Sequence, residues 1–190
     1  QPDEDPKNPD GWVVWVAIAD VAAYVRPDSA LDKEARDKGN SVYFPDRVEP
    51  MLPERLSNGL CSLREGEARA TLAVRMVFGK DGRKRSHTFH RGLMRSAAKV
   101  SYEQAQAAID GTPDDKTGPI LETIIKPLYA AYHAMLKARE ARSPVGIESA
   151  ERKIVLTPEG EVASIQPRMS LEAHRLIEEM MIQANVSAAE

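Results

Sequence analysis

The chain has 190 residues, with 26 Lys and Arg against 29 Asp and Glu, and a formal net charge of -3. A content of 42% hydrophobic and 29% charged residues excludes a disordered chain, which would have fewer apolar residues and a larger net charge. The sequence contains no short repeat and no apolar run of the roughly 18 residues that a membrane span requires, and its acidic start is unlike a signal peptide. The single cysteine, Cys61, excludes an internal disulfide and favours a reducing compartment.

The first predicted element is a strand that follows a polar loop. Residues 1–10 read QPDEDPKNPD, with three prolines and no apolar side chain. Residues 12–19 read WVVWVAIA, and an apolar run without polar alternation predicts a central strand that is covered on both faces. A central strand has neighbours on both sides, yet no strand precedes this one. We therefore expect the sheet to continue beyond this chain.

Two capping boxes predict the starts of helices. Ser29 with Asp32 precedes a short helix over residues 31–38, and Ser101 with Gln104 opens a second helix. In both places a side-chain oxygen of the serine is expected to accept a backbone N–H from the first helical turn.

Two hairpins and two longer helices complete the predicted elements. Residues 71–78 and 83–91 alternate strongly around a Lys-Asp-Gly turn, which predicts a β-hairpin. A long helix is expected over residues 119–142, where two prolines allow a break or kink. A second hairpin is expected near residues 152–166, and a last helix over residues 170–190, with Ser170 as its cap.

The mixed order of these elements predicts an α+β fold with a mixed or antiparallel sheet core and packed helices. Residues 1–11 are expected to form a polar loop, residues 12–100 a sheet-rich part and residues 101–190 a helix-rich part. The last helix has no Gly, Pro or basic last turn as a stop signal. Together with the unpartnered first strand, this predicts a domain that is truncated at both ends.

Basic residues concentrate in one segment of the slightly acidic chain. Residues 75–99 contain eight Lys and Arg and one Asp, a net charge of about +7, which leaves the remainder near -10. A hairpin places alternate side chains on one face, so the segment could follow the phosphate backbone of an anionic polymer. The alternative is a solvated hairpin tip. The candidate phosphate contacts are Arg75, Arg91, Arg95 and Lys99.

The last helix carries the most informative polar pattern. His174, Glu178, Met181 and Asn185 are spaced by four, three and four residues, so they share one helix face. An imidazole, a carboxylate and an amide in one row indicate a polar site, and the alternatives are a solvated stripe or a network between helices. Cys61 lies among leucines and is interpreted as a buried thiol rather than a nucleophile.

Five ordered sequence blocks cover nearly the whole chain, and one of them is fourteen residues long. They read WVAIADVAAYV (15–25), LDKEA (31–35), NSVYFP (40–45), PMLPERLSNGLCSL (50–63) and LIEEMMIQAN (176–185). This series resembles the RNB catalytic domain of the ribonuclease II and ribonuclease R family, and it leans toward the ribonuclease R side.

The resemblance implies a processive 3′→5′ exoribonuclease that hydrolyses single-stranded RNA to nucleoside 5′-monophosphates with Mg²⁺. In this family, aspartates hold the metal in a motif that would precede Gln1, and an arginine motif would follow the last helix. We therefore expect no metal ligands in this chain and no activity of the chain by itself, whereas the intact parent would be an enzyme. The resemblance also implies single-stranded RNA as partner, flanking RNA-binding domains in the parent, a cytoplasmic location and no membrane contact.

Three residues match family positions that contact RNA. Tyr43, in SVYFP, matches a tyrosine that holds the 3′-terminal nucleotide near the metal site. Tyr102, in KVSY, matches a tyrosine that contacts RNA near the active site. Glu178, the first acid of IEE, matches a glutamate that helps the enzyme favour RNA through ribose 2′-hydroxyls. Asp20, at the end of the first strand, is interpreted as structural.

One position departs from the family pattern. Ile147 stands where many relatives have an aromatic residue that wedges against a base. An isoleucine packs but stacks less well, so the clamping of the terminal bases would differ. Two further readings stay open: a non-catalytic RNA-binding relative that lost the metal site, and a purely structural interaction domain. The sequence leaves the oligomeric state open.

Overall fold

The computed structural model describes residues 1–141, 152–167 and 170–190. Within these ranges, helices and antiparallel strands occur in mixed order, which confirms the predicted α+β class. The strands are β1 (Trp12–Ala19), β2 (Val42–Tyr43), β3 (Val48–Glu49), β4 (Ala68–Phe78), β5 (Lys84–Arg95), β6 (Arg152–Leu156) and β7 (Val162–Pro167). The α-helices are α1 (Ala30–Lys38), α2 (Tyr102–Ile109), α3 (Lys126–Glu140) and α4 (Glu172–Ala189).

The main sheet of the described residues has the strand order β1-β4-β5, with both pairs antiparallel. Within it β4 is the central strand, so the prediction of a central β1 covered on both faces is wrong for this sheet. Helices cover one face of β1, while the N-terminal loop approaches only its start, where Val13 exchanges backbone hydrogen bonds of 2.8 and 2.9 Å with Gln1. Further along β1, Trp15 and Ile18 are 52% and 47% exposed.

The β4–β5 pair is the predicted basic hairpin, and both strands run further than the alternation indicated. Its turn contains Gly82, which has φ +73°. A Cβ atom at this position would lie 1.9 Å from the carbonyl oxygen of Ala134. Only glycine permits this backbone conformation and this approach together, and the hairpin tip therefore packs directly against α3.

The core lies on one face of the sheet, between the strands and three helices. Alternate residues of β1 and β4 point into it, because successive side chains of a strand point to opposite faces. Its buried members are Val14, Val74, Met76 and Phe78 from the strands, Ala108 from α2, Ile125, Tyr129, Ala131, Tyr132 and Met135 from the α3 region, and Ala173, Leu176 and Met180 from α4. Since α4 contributes its apolar stripe to this core, its opposite face is directed outward.

The predicted serine caps are confirmed. Ser101 and Gln104 exchange reciprocal hydrogen bonds of 3.2 and 3.0 Å at the start of α2, as a capping box requires. Ser29 accepts the backbone N–H of Asp32 at 3.2 Å, but the Asp32 carboxylate accepts from the N–H of Asp28 instead. The start of α1 is therefore half of a capping box.

Two helix boundaries differ from the sequence prediction. The helix expected over residues 119–142 begins as 3₁₀ and π-helical turns, and regular α3 starts only at Lys126, beside a proline that is tolerated in the first turn. At α4, Leu171 is the capping position in place of Ser170, and its N–H donates to Nδ1 of His174 at 3.1 Å. The histidine thus serves as Gln104 does in α2, a use of histidine that the capping-box pattern does not include.

The second hairpin is confirmed where the sequence predicts it, as the antiparallel pair β6–β7. Ile154 lies opposite Ile165, and the two side chains are 41% and 58% exposed. In the described ranges, no helix is both long and apolar enough to cross a membrane.

Replacement of a core methionine should destabilise the fold more than replacement of an exposed leucine. Met76 is fully buried, so Met76→Ala should lower the free energy of unfolding by about 2–5 kcal/mol. Leu93 in the neighbouring strand is 79% exposed, and Leu93→Ala should change it by less than about 0.5 kcal/mol. Urea denaturation followed by tryptophan fluorescence measures both values, and equal effects would contradict this assignment of the core.

The loop before α3 should make stability depend on pH. The hydroxyl and N–H of Thr117, followed by the Gln104 amide, lower the pKa of Asp114 from 3.8 to about 2. A carboxyl whose pKa is depressed on folding stabilises the fold above its ordinary pKa, and the stabilisation is lost as the pH falls toward 2. In Asp114→Asn, unfolding free energies from urea titrations should therefore fall less steeply between about pH 4 and about pH 2 than in the unaltered chain. An unchanged slope would mean that Asp114 is not the group responsible.

Candidate nucleic-acid interface

Two aromatic rings from different helices meet where α2 and α4 begin. Tyr102 is the first residue of α2, and its ring stacks on the imidazole of His174 in the first turn of α4. The ring centroids are 4.2 Å apart and the planes are inclined by 24°. Tyr102 is still 38% exposed, so part of its ring surface is accessible for stacking with a nucleobase.

A hydrogen bond joins the start of α4 to α2. The N–H of Ala173 in the first turn of α4 donates to the Gln106 side chain of α2 at 3.1 Å. The segment that leads into α2 is fixed separately, because the N–H of Lys99 donates to the Glu65 carboxylate at 3.0 Å. The position of Tyr102 is therefore set by contacts from α4 and from the segment before β4.

Glu178 lies one turn after His174 on the same face of α4, as the spacing predicts. Its side chain is 57% exposed, and its carboxylate lies 3.6 Å from Nη1 of Arg139 on α3. The same guanidinium nitrogen donates to Glu179 at 3.1 Å. Arg139 thus lies between an exposed and a buried carboxylate, and it partly offsets the negative charge that Glu178 would present to a polyanion.

Glu179 is fully buried and belongs to a row of polar contacts inside the fold. Its second carboxylate oxygen accepts from the Gln183 amide at 2.8 Å. One turn later, the Ser187 hydroxyl donates to the Gln183 carbonyl at 2.8 Å and accepts from Lys84 of β5 at 2.9 Å. This row connects α3, α4 and β5, and it gives the buried carboxylate the partners without which its burial would be costly.

Tyr43 lies apart from this cluster, in the short hairpin that β2 and β3 form. Its side chain is 77% exposed, and it makes no hydrogen bond, ion pair or ring contact with any described residue. The next residue, Phe44, is 43% exposed and has the Arg47 guanidinium 4.6 Å from its ring centroid. The hairpin therefore presents aromatic surface and a cation to the solvent.

Arg91 forms an ion pair with Asp20 within the fold. Its guanidinium forms a two-point pair with the buried Asp20 carboxylate, at 2.7 and 3.0 Å. The hydrogen bond from Arg91 lowers the pKa of Asp20, which keeps the carboxylate charged. Burial, and to a lesser extent the Asp20 charge, raises the pKa of the Cys61 thiol. The structure thus supports a structural interpretation of Asp20. Cys61 is only half-buried, so the prediction of a buried thiol is wrong, while its raised pKa still disfavours the reactive thiolate.

The other three basic candidates do not all lie on the same face as Arg91. Arg75 lies between two buried core residues of β4, so its side chain points to the opposite face of the sheet. There it lines an open cleft of about 910 Å³ with the N-terminal loop. Arg95 lies four residues after Arg91 on the same face of β5 and is exposed, as is Lys99. Neither side chain forms a hydrogen bond or ion pair with a described residue.

The described residues do not fit a metal ion. Among them, no group of three or more His, Cys, Asp and Glu is arranged to hold one. Asp20, the carboxylate at the end of β1, is paired with Arg91 instead. Ile147, the predicted departure from the aromatic pattern, lies outside the described residues.

Arg139 and Glu179 were not among the residues that the sequence patterns indicated. A usable signal existed for Glu179, because it lies among Leu176, Met180 and Gln183 on the apolar stripe of the helix. A glutamate in such a stripe must be paired when it is buried. The partner on α3 could not be identified in this way, since it depends on how two distant helices pack.

Comparisons with known proteins agree with the sequence resemblance. The family described as RNB domain matches residues 4–190. Ribonuclease R of Vibrio parahaemolyticus and that of Escherichia coli are each 42% identical over 185 residues, which is 96% of this chain but 22% and 23% of those proteins. The solved structure of Mycoplasma genitalium RNase R in complex with ribose methylated single-stranded RNA has a TM-score of 0.86 at 30% identity, over 91% of this chain and 27% of that one. The chain therefore spans about a quarter of these relatives' length.

Adjacent glutamates of α4 should differ sharply in their effect on stability. Glu179→Gln removes a buried charge from Arg139, and we expect the free energy of unfolding to fall by about 3 kcal/mol. The exposed neighbour is the matched control, and Glu178→Gln should cost less than about 1 kcal/mol. Chemical denaturation of both variants measures the difference. Similar losses would contradict the distinction between a buried and a solvent-facing carboxylate.

Proposed function

This chain belongs to the RNB domain family, and we propose that it forms part of the catalytic domain of a 3′→5′ exoribonuclease that acts on single-stranded RNA. The observation that carries the proposal is the match over residues 4–190, together with relatives named ribonuclease R that are 42% identical over almost the whole chain. We further propose that the hydrolysis is processive and releases nucleoside 5′-monophosphates.

We propose that the stacked Tyr102 ring and Glu178 form one RNA contact area. The exposed face of Tyr102 offers a surface for a base, and stacking of this kind contributes about 1–3 kcal/mol per base. Glu178 carries an exposed carboxylate that accepts hydrogen bonds, and ribose 2′-hydroxyls are the donors that distinguish RNA from DNA. A single-stranded RNA complex of a 30% identical relative supports RNA as the ligand.

Tyr43 would contact a second part of the RNA, the 3′-terminal nucleotide. The residue is 77% exposed, and Arg47 supplies a cation in the same hairpin, over the Phe44 ring. We propose phosphate contacts for Arg95, on the core-side face of the hairpin, and for Lys99, in the segment between β5 and α2. Arg91 would contribute only its outward nitrogen, since Asp20 occupies the other two, while Arg75 would serve a path on the opposite face.

Magnesium is proposed for the intact protein rather than for this chain. The chemistry that Mg²⁺ supplies is the activation of a water and the stabilisation of charge on the scissile phosphate. In line with the family resemblance, we propose that the aspartates that would hold it come from other parts of the longer protein. We accordingly propose that the 190-residue chain by itself is inactive, that flanking RNA-binding domains accompany it in the parent, and that the parent acts in the cytoplasm.

Comparison of the chain with the intact protein tests this function. With uniformly labelled single-stranded RNA and Mg²⁺, the intact protein should release labelled nucleoside 5′-monophosphates from the 3′ end, while the chain alone should release none. Thin-layer chromatography of the products gives the answer. If the intact protein binds the RNA without cleaving it, the exoribonuclease proposal is wrong and the protein is a non-catalytic RNA-binding relative. Absence of both binding and cleavage would contradict both functions.

A further inference from the structure

We propose that His174 is a positioning residue for Tyr102, and that the two rings act as one stacking unit for a nucleobase of the RNA. The inference rests on the RNA contact proposed for Tyr102 and extends it to a residue that the family resemblance did not assign. It depends on three features: the stack between the rings, the hydrogen bond that fixes the imidazole, and the hydrogen bond that joins the start of α4 to α2.

The stack itself defines which side of Tyr102 can receive a base. The imidazole covers one face of the phenol ring at 4.2 Å and nearly parallel to it. A base can therefore stack on Tyr102, which is 38% exposed, only from the side opposite the imidazole. A base that stacks there would extend a column of three rings, with His174 as the innermost member.

The imidazole is held in place by the start of its own helix. Nδ1 of His174 accepts the N–H of Leu171 at 3.1 Å, so rotation of the ring would remove the partner of a helix-start N–H. Acceptance at Nδ1 requires the neutral imidazole with its hydrogen on Nε2. The ring therefore stacks on Tyr102 in one orientation. The same hydrogen bond that caps α4 thus also fixes the imidazole against the tyrosine.

A hydrogen bond between the two helices keeps the imidazole in position relative to Tyr102. Gln106 of α2 accepts the N–H of Ala173, the residue directly before His174. The backbones that carry the two rings are thereby joined one turn from the stack. Since a side chain at a helix start otherwise samples several rotamers, a fixed neighbouring ring reduces the ordering that RNA binding would require.

Two substitutions of His174 distinguish the role of its ring from its role in capping the helix. In the intact protein, His174→Gln keeps a side-chain acceptor for the capping bond, as Gln104 does in α2, but removes the ring. We expect fluorescence anisotropy with a labelled single-stranded RNA, measured without Mg²⁺ so that the RNA stays intact, to give a dissociation constant about 5- to 10-fold higher, with little change in melting temperature. His174→Phe keeps a ring without the acceptor, so it should recover most of the RNA affinity and lower the melting temperature.

Two further measurements identify the route of the effect. In a Tyr102→Ala background, His174→Gln should cause no additional loss of RNA affinity, because its action passes through Tyr102. In a series of RNAs with one abasic position each, the loss caused by His174→Gln should disappear when the stacked base is absent. A merely structural role would leave the loss the same for every RNA of the series.

The inference and the proposed RNA contact fail in different ways. If Tyr102→Ala binds RNA as tightly as the unaltered protein, the proposed contact of Tyr102 is wrong. If Tyr102→Ala weakens binding but His174→Gln does not, or if the two losses add, only the positioning role is overturned. The role is also overturned if His174→Phe loses as much affinity as His174→Gln while both proteins stay folded.

Discussion

The arrangement of the candidate interface depends on one buried charge, the carboxylate of Glu179. It is fully buried, and it is satisfied by Arg139 of α3 and by Gln183 one turn along α4. A buried carboxylate without such partners would destabilise the fold by several kcal/mol, so these contacts restrict how α3 and α4 can pack. Once the rotation of α4 is fixed in this way, His174 and Glu178 have to lie on its outward face.

Neighbouring glutamates therefore serve different purposes on the same helix. A step of one residue turns a helix by about 100°, which is enough to move a carboxylate from the core to the solvent. Arg139 contacts both, at 3.1 Å from Glu179 and 3.6 Å from Glu178. In this chain one guanidinium thus compensates a buried charge and partly offsets an exposed one beside the proposed RNA contact area.

The basic segment is likewise divided between the fold and its surface. Arg91 is paired with Asp20, Lys84 with Glu190 and Ser187, and Arg85 with Asp81. Asp20 and Glu190 lie outside the segment and offset part of its net charge of about +7, in which Asp81 is already counted. Arg95 and Lys99 have no such partner among the described residues, so their charge is directed to the solvent. The number of basic residues in the sequence therefore overstates the positive charge that is available to a phosphate backbone.

The sequence by itself determined the α+β class, both hairpins, the serine caps of α1 and α2, and the shared face of His174 and Glu178. These features follow from local periodicity and from hydrogen bonds between residues a few positions apart. Only the tertiary structure decided that β1 lies beside β4 rather than in the middle of the described sheet, that Arg91 binds Asp20, and that His174 stacks on Tyr102. Each of these contacts joins residues at least 50 positions apart, and their meeting depends on how whole strands and helices pack. No local pattern encodes that packing, because burial and charge pairing are properties of the assembled core.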